Sequence, residues 1–210
     1  MFIKRPCWLP LLLLLPTLCF AQKDRKGVYG GLSVGYGSYV LDLYEYQNGG
    51  SFYIDQRFSG VALALGIEKR SAWQKDQFVF DVSGELTGGL AIKTSINETG
   101  NLNEETKGGY ALGASGFLKA GYLFPKNEGA VTPLVGIGPY FTYIKSGGGD
   151  TDGNYIYGLQ GFVGVDLRLS QFVLTPQIRF GLAGWGASDE MDQNGQPGMF
   201  EVGLKIAKKF

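Results

Sequence analysis

The sequence predicts an all-β protein, an eight-stranded antiparallel up-and-down transmembrane β-barrel preceded by a cleaved signal peptide. Three observations predict it. Hydrophobicity alternates with period two almost throughout residues 22–210. The connections between alternating stretches are long and short by turns. One face of the stretches is bulky and apolar, and the other mixes small residues with charge.

Residues 1–21 read as an export signal. Lys4 and Arg5 precede an apolar run, and Cys19 and Ala21 place small residues at alternate positions before Gln22. The apolar run is broken by Pro10 and Pro16 and falls short of the about 20 residues that a membrane-spanning helix needs. Cleavage after Ala21 removes both cysteines, Cys7 and Cys19, so residues 22–210 are expected to hold no thiol, disulfide or cysteine metal site. It also removes Lys4 and Arg5, leaving 17 of 19 basic residues against 19 acidic ones, a net charge of −2. Nucleic-acid binders are clearly basic, so no nucleic-acid partner is expected.

No later stretch has the length and apolarity of a membrane helix, so this region is either soluble or crosses a membrane as strands. In lipid, only helices and closed barrels satisfy their own backbone. The alternation predicts strands over 27–40, 57–70, 78–92, 109–124, 131–144, 155–169, 172–184 and 199–210. In the second, Val61, Leu63, Leu65 and Ile67 share a face opposite Ala62, Ala64, Gly66 and Glu68. Residues 41–56, 93–108, 145–154 and 185–198 are expected as long polar loops, and 71–77, 125–130 and 170–171 as short turns. Pro133 and Pro176 fall near strand starts, where a missing amide is tolerable, and Pro139 is expected to mark a bulge.

The faces set the orientation. A soluble ligand carrier would keep bulky apolar residues inside. A narrow membrane barrel needs the small and polar face inside, because eight strands leave room only for side chains. The inward face is expected to hold Glu68, Asp81, Glu85, Asp166 and Glu201 with Lys119, Arg168, Arg179 and Lys205. Five acids against four bases predict a paired network that fills the lumen, since each unpaired ion in such a space costs several kcal/mol. Aromatic residues gather at strand ends, Phe78, Phe80, Tyr122, Phe124, Phe172 and Phe210 at one level and Tyr36, Tyr110, Phe141, Tyr143, Tyr155, Tyr157 and Phe200 at the other. Two aromatic girdles are expected of a barrel that crosses a membrane.

The last strand carries Phe200, Val202, Leu204, Ile206 and Phe210 on one face. Its ending VGLKIAKKF, with Gly203, Leu204, Ile206 and Phe210, resembles the C-terminal signal that outer-membrane barrels present to their assembly machinery. Lys208 departs from that pattern with an outward cation, which can snorkel to the membrane edge. With its size and strand count, the chain resembles the small eight-stranded outer-membrane barrels of the OmpA/OmpX type over nearly all of residues 22–210. The resemblance implies residence in the cell outer membrane, contact with its lipid, both termini in the periplasm and a monomer.

Chemistry is sparse. The sequence has no histidine, and without histidine or cysteine neither Ser-His nor Cys-His nucleophile systems can form. Asp81 and Glu85 share a face, but no spacing marks a catalytic pair. No cofactor is implied, and no enzyme is expected. The outer loops carry Asp42, Glu45, Asp55, Glu98, Glu104, Glu105, Asp150, Asp152, Asp189, Glu190 and Asp192 against Lys93, Lys107 and Lys145. They are expected to be a solvated surface, or to meet an extracellular partner that is basic or a divalent cation. The expected role is structural or surface-interacting, with no open pore. The alternatives are a narrow channel or transporter for small or apolar solutes, lined by Phe117, Leu134, Tyr140 and Phe162, and a carboxylate-based envelope enzyme.

Overall fold

The computed structural model describes residues 25–47, 50–98, 103–106, 108–124, 130–146, 153–188 and 198–210. The export signal expected over 1–21 lies outside them, as do the side chains of the eleven acidic loop residues named above.

The strands are β1 (Gly27–Gln47), β2 (Gly50–Lys75), β3 (Phe78–Glu98), β4 (Asn103–Thr106), β5 (Gly109–Tyr122), β6 (Val131–Ser146), β7 (Asn154–Leu169), β8 (Phe172–Ser188) and β9 (Gly198–Lys209). All pairings are antiparallel. β1 pairs with β2 on one side and with β9 on the other, so the sheet closes into an eight-stranded barrel of β1, β2, β3, β5, β6, β7, β8 and β9. Closure removes the free edges that an open sheet would expose. The short β4 lies outside the ring and extends β3 through the pairs Thr94↔Thr106 to Asn97↔Asn103.

The eight expected strands are the eight barrel strands, but several run on. Residues 41–56, expected as a loop, are mostly a continuation of the β1–β2 hairpin, which stays paired to Gln47↔Gly50. Residues 93–108 likewise hold the end of β3 and all of β4. The expected turn 71–77 narrows to Asp76 and Gln77 between Lys75↔Phe78. Backbone pairing continues there although the apolar residues, such as Leu41, Leu43, Tyr44 and Tyr46, no longer keep to one face.

The faces are as expected. Leu65, Ile67, Leu86, Leu90 and Leu118 are each more than 60% exposed and point away from the barrel axis, whereas Glu68, Asp81 and Asp166 are at most 1% exposed. Rings pair at both ends: Phe78–Tyr122 at 5.4 Å and Trp73–Phe80 at 4.9 Å near the short turns, Tyr110–Tyr143 at 6.1 Å and Tyr143–Tyr155 at 5.1 Å near the long connections.

Pro133 and Pro176 lie near the starts of β6 and β8, as expected, but Pro139 acts differently. Pro139 makes no bulge: β5 and β6 keep one register, from Ser115↔Tyr140 to Leu118↔Ile137, and the ladder skips only the pairs between. Proline has no amide to donate, so the rungs open without a slip. Pro176 does the same between Gly164↔Gln177 and Leu167↔Leu174. The bulges sit elsewhere, at Ser59/Gly60 and Lys69/Trp73 between β2 and β3, and at Leu159/Gln160 between β7 and β8. Beside the Pro139 gap, a Cβ on Gly138 would fall 1.8 Å from the Gly116 carbonyl oxygen, so only glycine fits.

Candidate functional site

The candidate site is the lumen. Strand parity delivers its charges: Glu68 and Arg70 from β2, Asp81 and Glu85 from β3, Lys119 from β5, Asp166 and Arg168 from β7, Arg179 from β8, and Glu201 and Lys205 from β9. All are buried, at 5% exposure or less.

At the short-turn end two aspartates gather cations. Arg25 Nη2 donates to Asp81 Oδ2 at 2.5 Å and to Asp166 Oδ2 at 2.9 Å. Arg70 Nη1 donates to the same Asp166 oxygen at 2.5 Å, and Thr175 Oγ1 donates to Asp166 Oδ1 at 2.6 Å. That last bond spans the rung opened beside Pro176. Ser71, with a left-handed φ of 46° at the β2 bulge, donates its amide to Asp81 Oδ1 at 2.8 Å. The Arg70 guanidinium stacks 4.8 Å from the Tyr29 ring, and the Tyr29 hydroxyl donates to the Arg25 carbonyl at 3.3 Å. Arg168 is buried within electrostatic reach of Asp166.

Glu68 joins this tier to the next. Its carboxylate lies 3.4 Å from Arg70 Nε, 3.4 Å from Lys119 Nζ and 2.9 Å from Lys205 Nζ. Lys205 Nζ also donates to Glu85 Oε1 at 2.9 Å, and Arg179 donates to the other Glu85 oxygen. Arg179 then reaches Glu201 at 3.7 Å. A chain of ion pairs thus runs Asp81–Arg25–Asp166–Arg70–Glu68–Lys205–Glu85–Arg179–Glu201, with Lys119 on Glu68. Ions withdrawn from water need such multiple partners, because the desolvation of each costs several kcal/mol.

Aromatic and apolar groups fill the rest. Phe117, Leu134 and Phe162 form a cluster on the inner face of the neighbouring strands β5, β6 and β7, with the two rings 5.5 Å apart. Lys119 Nζ sits 4.6 Å from the Phe162 ring, and the Arg179 guanidinium 5.3 Å from the Phe117 ring. Toward the long connections, Tyr39, Phe58, Ala111, Tyr140, Ile144, Ile156 and Met199 form a second core. Two voids here measure about 10 Å³ each, one lined by Tyr39, Phe58, Gly60 and Thr142, the other by Ser115, Tyr140, Gln160 and Glu201. Each is room for about one water.

The nine expected charges are all inside, and eight of them join the chain of ion pairs. Two arginines escaped the sequence reading. Arg70 has the parity of Glu68 on β2, so alternation alone could have found it. Arg25 precedes β1, yet continues the inward parity of Tyr29 back past the strand end. With them, the buried balance among the described residues is six bases to five acids, the reverse of the expected excess. Asp81 and Glu85 are held by different cations and do not form a pair with each other.

No protein-family model matches the chain, and no curated protein matches it. Solved structures do. The outer membrane protein OprG from Pseudomonas aeruginosa aligns with a TM-score of 0.58 at 13% identity, over 90% of this chain and 100% of that one. The chain has the fold of a small outer-membrane β-barrel. Neisserial surface protein A aligns at 15% identity over 88% of this chain and 97% of that one, with a TM-score of 0.46. Ail, the attachment invasion locus protein of Yersinia pestis, aligns at 12% identity over 87% and 99%, with a TM-score of 0.39. The fold assignment rests on OprG together with the closed eight-stranded ring.

Proposed function

We propose that this chain is an integral outer-membrane protein with a filled lumen, acting as a structural or surface-interaction element and not as an open pore. The observation that carries this reading is the lumen itself, crossed by a continuous chain of ion pairs and leaving water-sized voids at its long-connection end. An ion crossing would have to displace side chains most of which are tied to two or three partners.

In this reading residues 1–21 direct export and are removed, the last strand with Gly203, Leu204, Ile206 and Phe210 engages the barrel-assembly machinery, and both termini lie in the periplasm. The acidic connections then face outward, where a basic or cationic partner meets them. A narrow solute path has less support, because Phe117, Leu134 and Phe162 pack against one another on the inner wall and Lys119 and Arg179 lie over their rings. A carboxylate enzyme has less support because Asp81 and Glu85 are each bound to cations.

Two measurements test the proposal. Outer-membrane fractions are expected to contain a band whose gel mobility shifts on boiling, with a mature N-terminus at Gln22. Purified protein in planar bilayers is expected to show no single-channel steps. Recovery in the soluble periplasm would overturn the membrane assignment, and steady conductance would overturn the closed lumen.

A further inference from the structure

Among the described side chains, the exposed charge at the short-turn end of the barrel wall is mostly basic. Lys26, Lys69, Lys75 and Lys208 are exposed there, and among the described side chains the exposed acid is Asp76. Three of these lysines project outward around the start of β1: Lys26 just before it, and Lys69 and Lys208 from the strands at its two sides. Lys69 of β2 pairs with Val28, two residues beyond Lys26, and Lys208 of β9 pairs with Gly30 on the other side of β1. All three share the outward face with Val28, Ile67 and Ile206, which are 39%, 63% and 49% exposed.

Between them the wall is apolar and aromatic. The Phe210 ring, 86% exposed, lies over Gly30, where an added Cβ would fall 2.7 Å from it. Lys208 Nζ lies 5.8 Å from the Phe172 ring, and Trp73, Phe78 and Phe80 continue the aromatic rim. Aromatic rings settle at the level of lipid headgroups, and lysine stems lie along apolar surface while lifting the ammonium to the phosphates.

We propose that Lys26, Lys69 and Lys208 form a binding site for the phosphate groups of anionic phospholipids in the leaflet at the short-turn end. The site rests on the membrane-spanning reading above. Three ammonium groups beside an apolar wall match a headgroup whose acyl chains lie along Val28, Ile67 and Ile206. Surface charge of this kind is attracted by about 1 kcal/mol per lysine, or about fivefold in retention.

The test is lipid retention by the full chain. Protein reconstituted in vesicles of equal parts phosphatidylcholine and phosphatidylglycerol is extracted, and its co-purifying lipid is counted by native mass spectrometry. Wild type is expected to enrich phosphatidylglycerol, the K69Q/K208Q variant to lose that enrichment by about fivefold per lysine, and K145Q, at the other end, to keep it. Equal retention of the two lipids by wild type would overturn the site, as would unchanged enrichment in K69Q/K208Q. If that variant does not fold, enrichment by wild type that ignores ionic strength overturns the site instead, since exposed charge is screened by salt. A wild-type chain that enters no vesicle of any composition sinks the membrane reading as well, whereas insertion without lipid preference sinks the site alone.

Discussion

At the short-turn end the lumen is packed with Arg25, Arg70, Asp81 and Asp166, and at the long-connection end with Tyr39, Phe58, Ile144 and Ile156. Both regions face the same axis and obey the same strand parity, yet they are held by different physics. The charged end is a set of mutual obligations, in which removing one group leaves another buried and uncompensated. The apolar end is graded, since each lost methyl costs its own contacts and the small cavity it leaves. Substitutions of similar size should therefore give unequal losses in the two regions.

The largest loss is expected from Glu68→Leu, which takes from Lys119 its carboxylate and leaves Arg70 with Asp166 alone and Lys205 with Glu85 alone. Breaking one partner out of a buried ion set costs about 3–5 kcal/mol. Urea unfolding of the barrel in lipid vesicles measures this, and a loss under about 1 kcal/mol would mean that water reaches the network. Arg25→Gln should cost less, about 1–3 kcal/mol, because Asp166 keeps Arg70 and Thr175, and Asp81 keeps the Ser71 amide. Arg25 stands outside the barrel ladder, so this variant should keep the heat-modifiable band while its unfolding midpoint falls. A variant as stable as wild type would detach Arg25 from the network. The smallest effect is expected at the apolar end, where Ile156→Val removes one methylene from a fully buried side chain. Its cost should be about 0.5–1.5 kcal/mol in the same unfolding assay, and a larger value would erase the contrast between the two ends.

The parts legible beforehand were those set by alternation. The inward position of Glu68, Glu85, Asp166 and Lys205, and the outward position of Leu63 and Ile206, follow from a period of two along an extended backbone. Partners were not legible in the same way. Arg70 joins Asp166 across 96 positions, and Arg25 joins it across 141. No spacing rule connects residues that meet only when a tilted sheet closes. The strand extensions over 41–47 and 93–98 are not legible because their apolar residues, Leu41, Leu43, Tyr44, Tyr46 and Ile96, do not keep to one period-two face. A missing donor at Pro139 opens rungs without shifting the register, because its neighbours hold it on both sides.

The sequence by itself determined the class of fold, the number of barrel strands and the side of the wall on which each residue lies, because these depend on local backbone geometry and on the contrast between lipid and lumen. Only the tertiary structure decided that Arg25 and Arg70 belong to the lumen network, that the charges form one chain of ion pairs ending at Glu201, and that Lys26, Lys69 and Lys208 share one patch. Those facts depend on the register with which β1 meets β2 and β9 when the barrel closes. Register is a property of paired strands, and no single strand carries it.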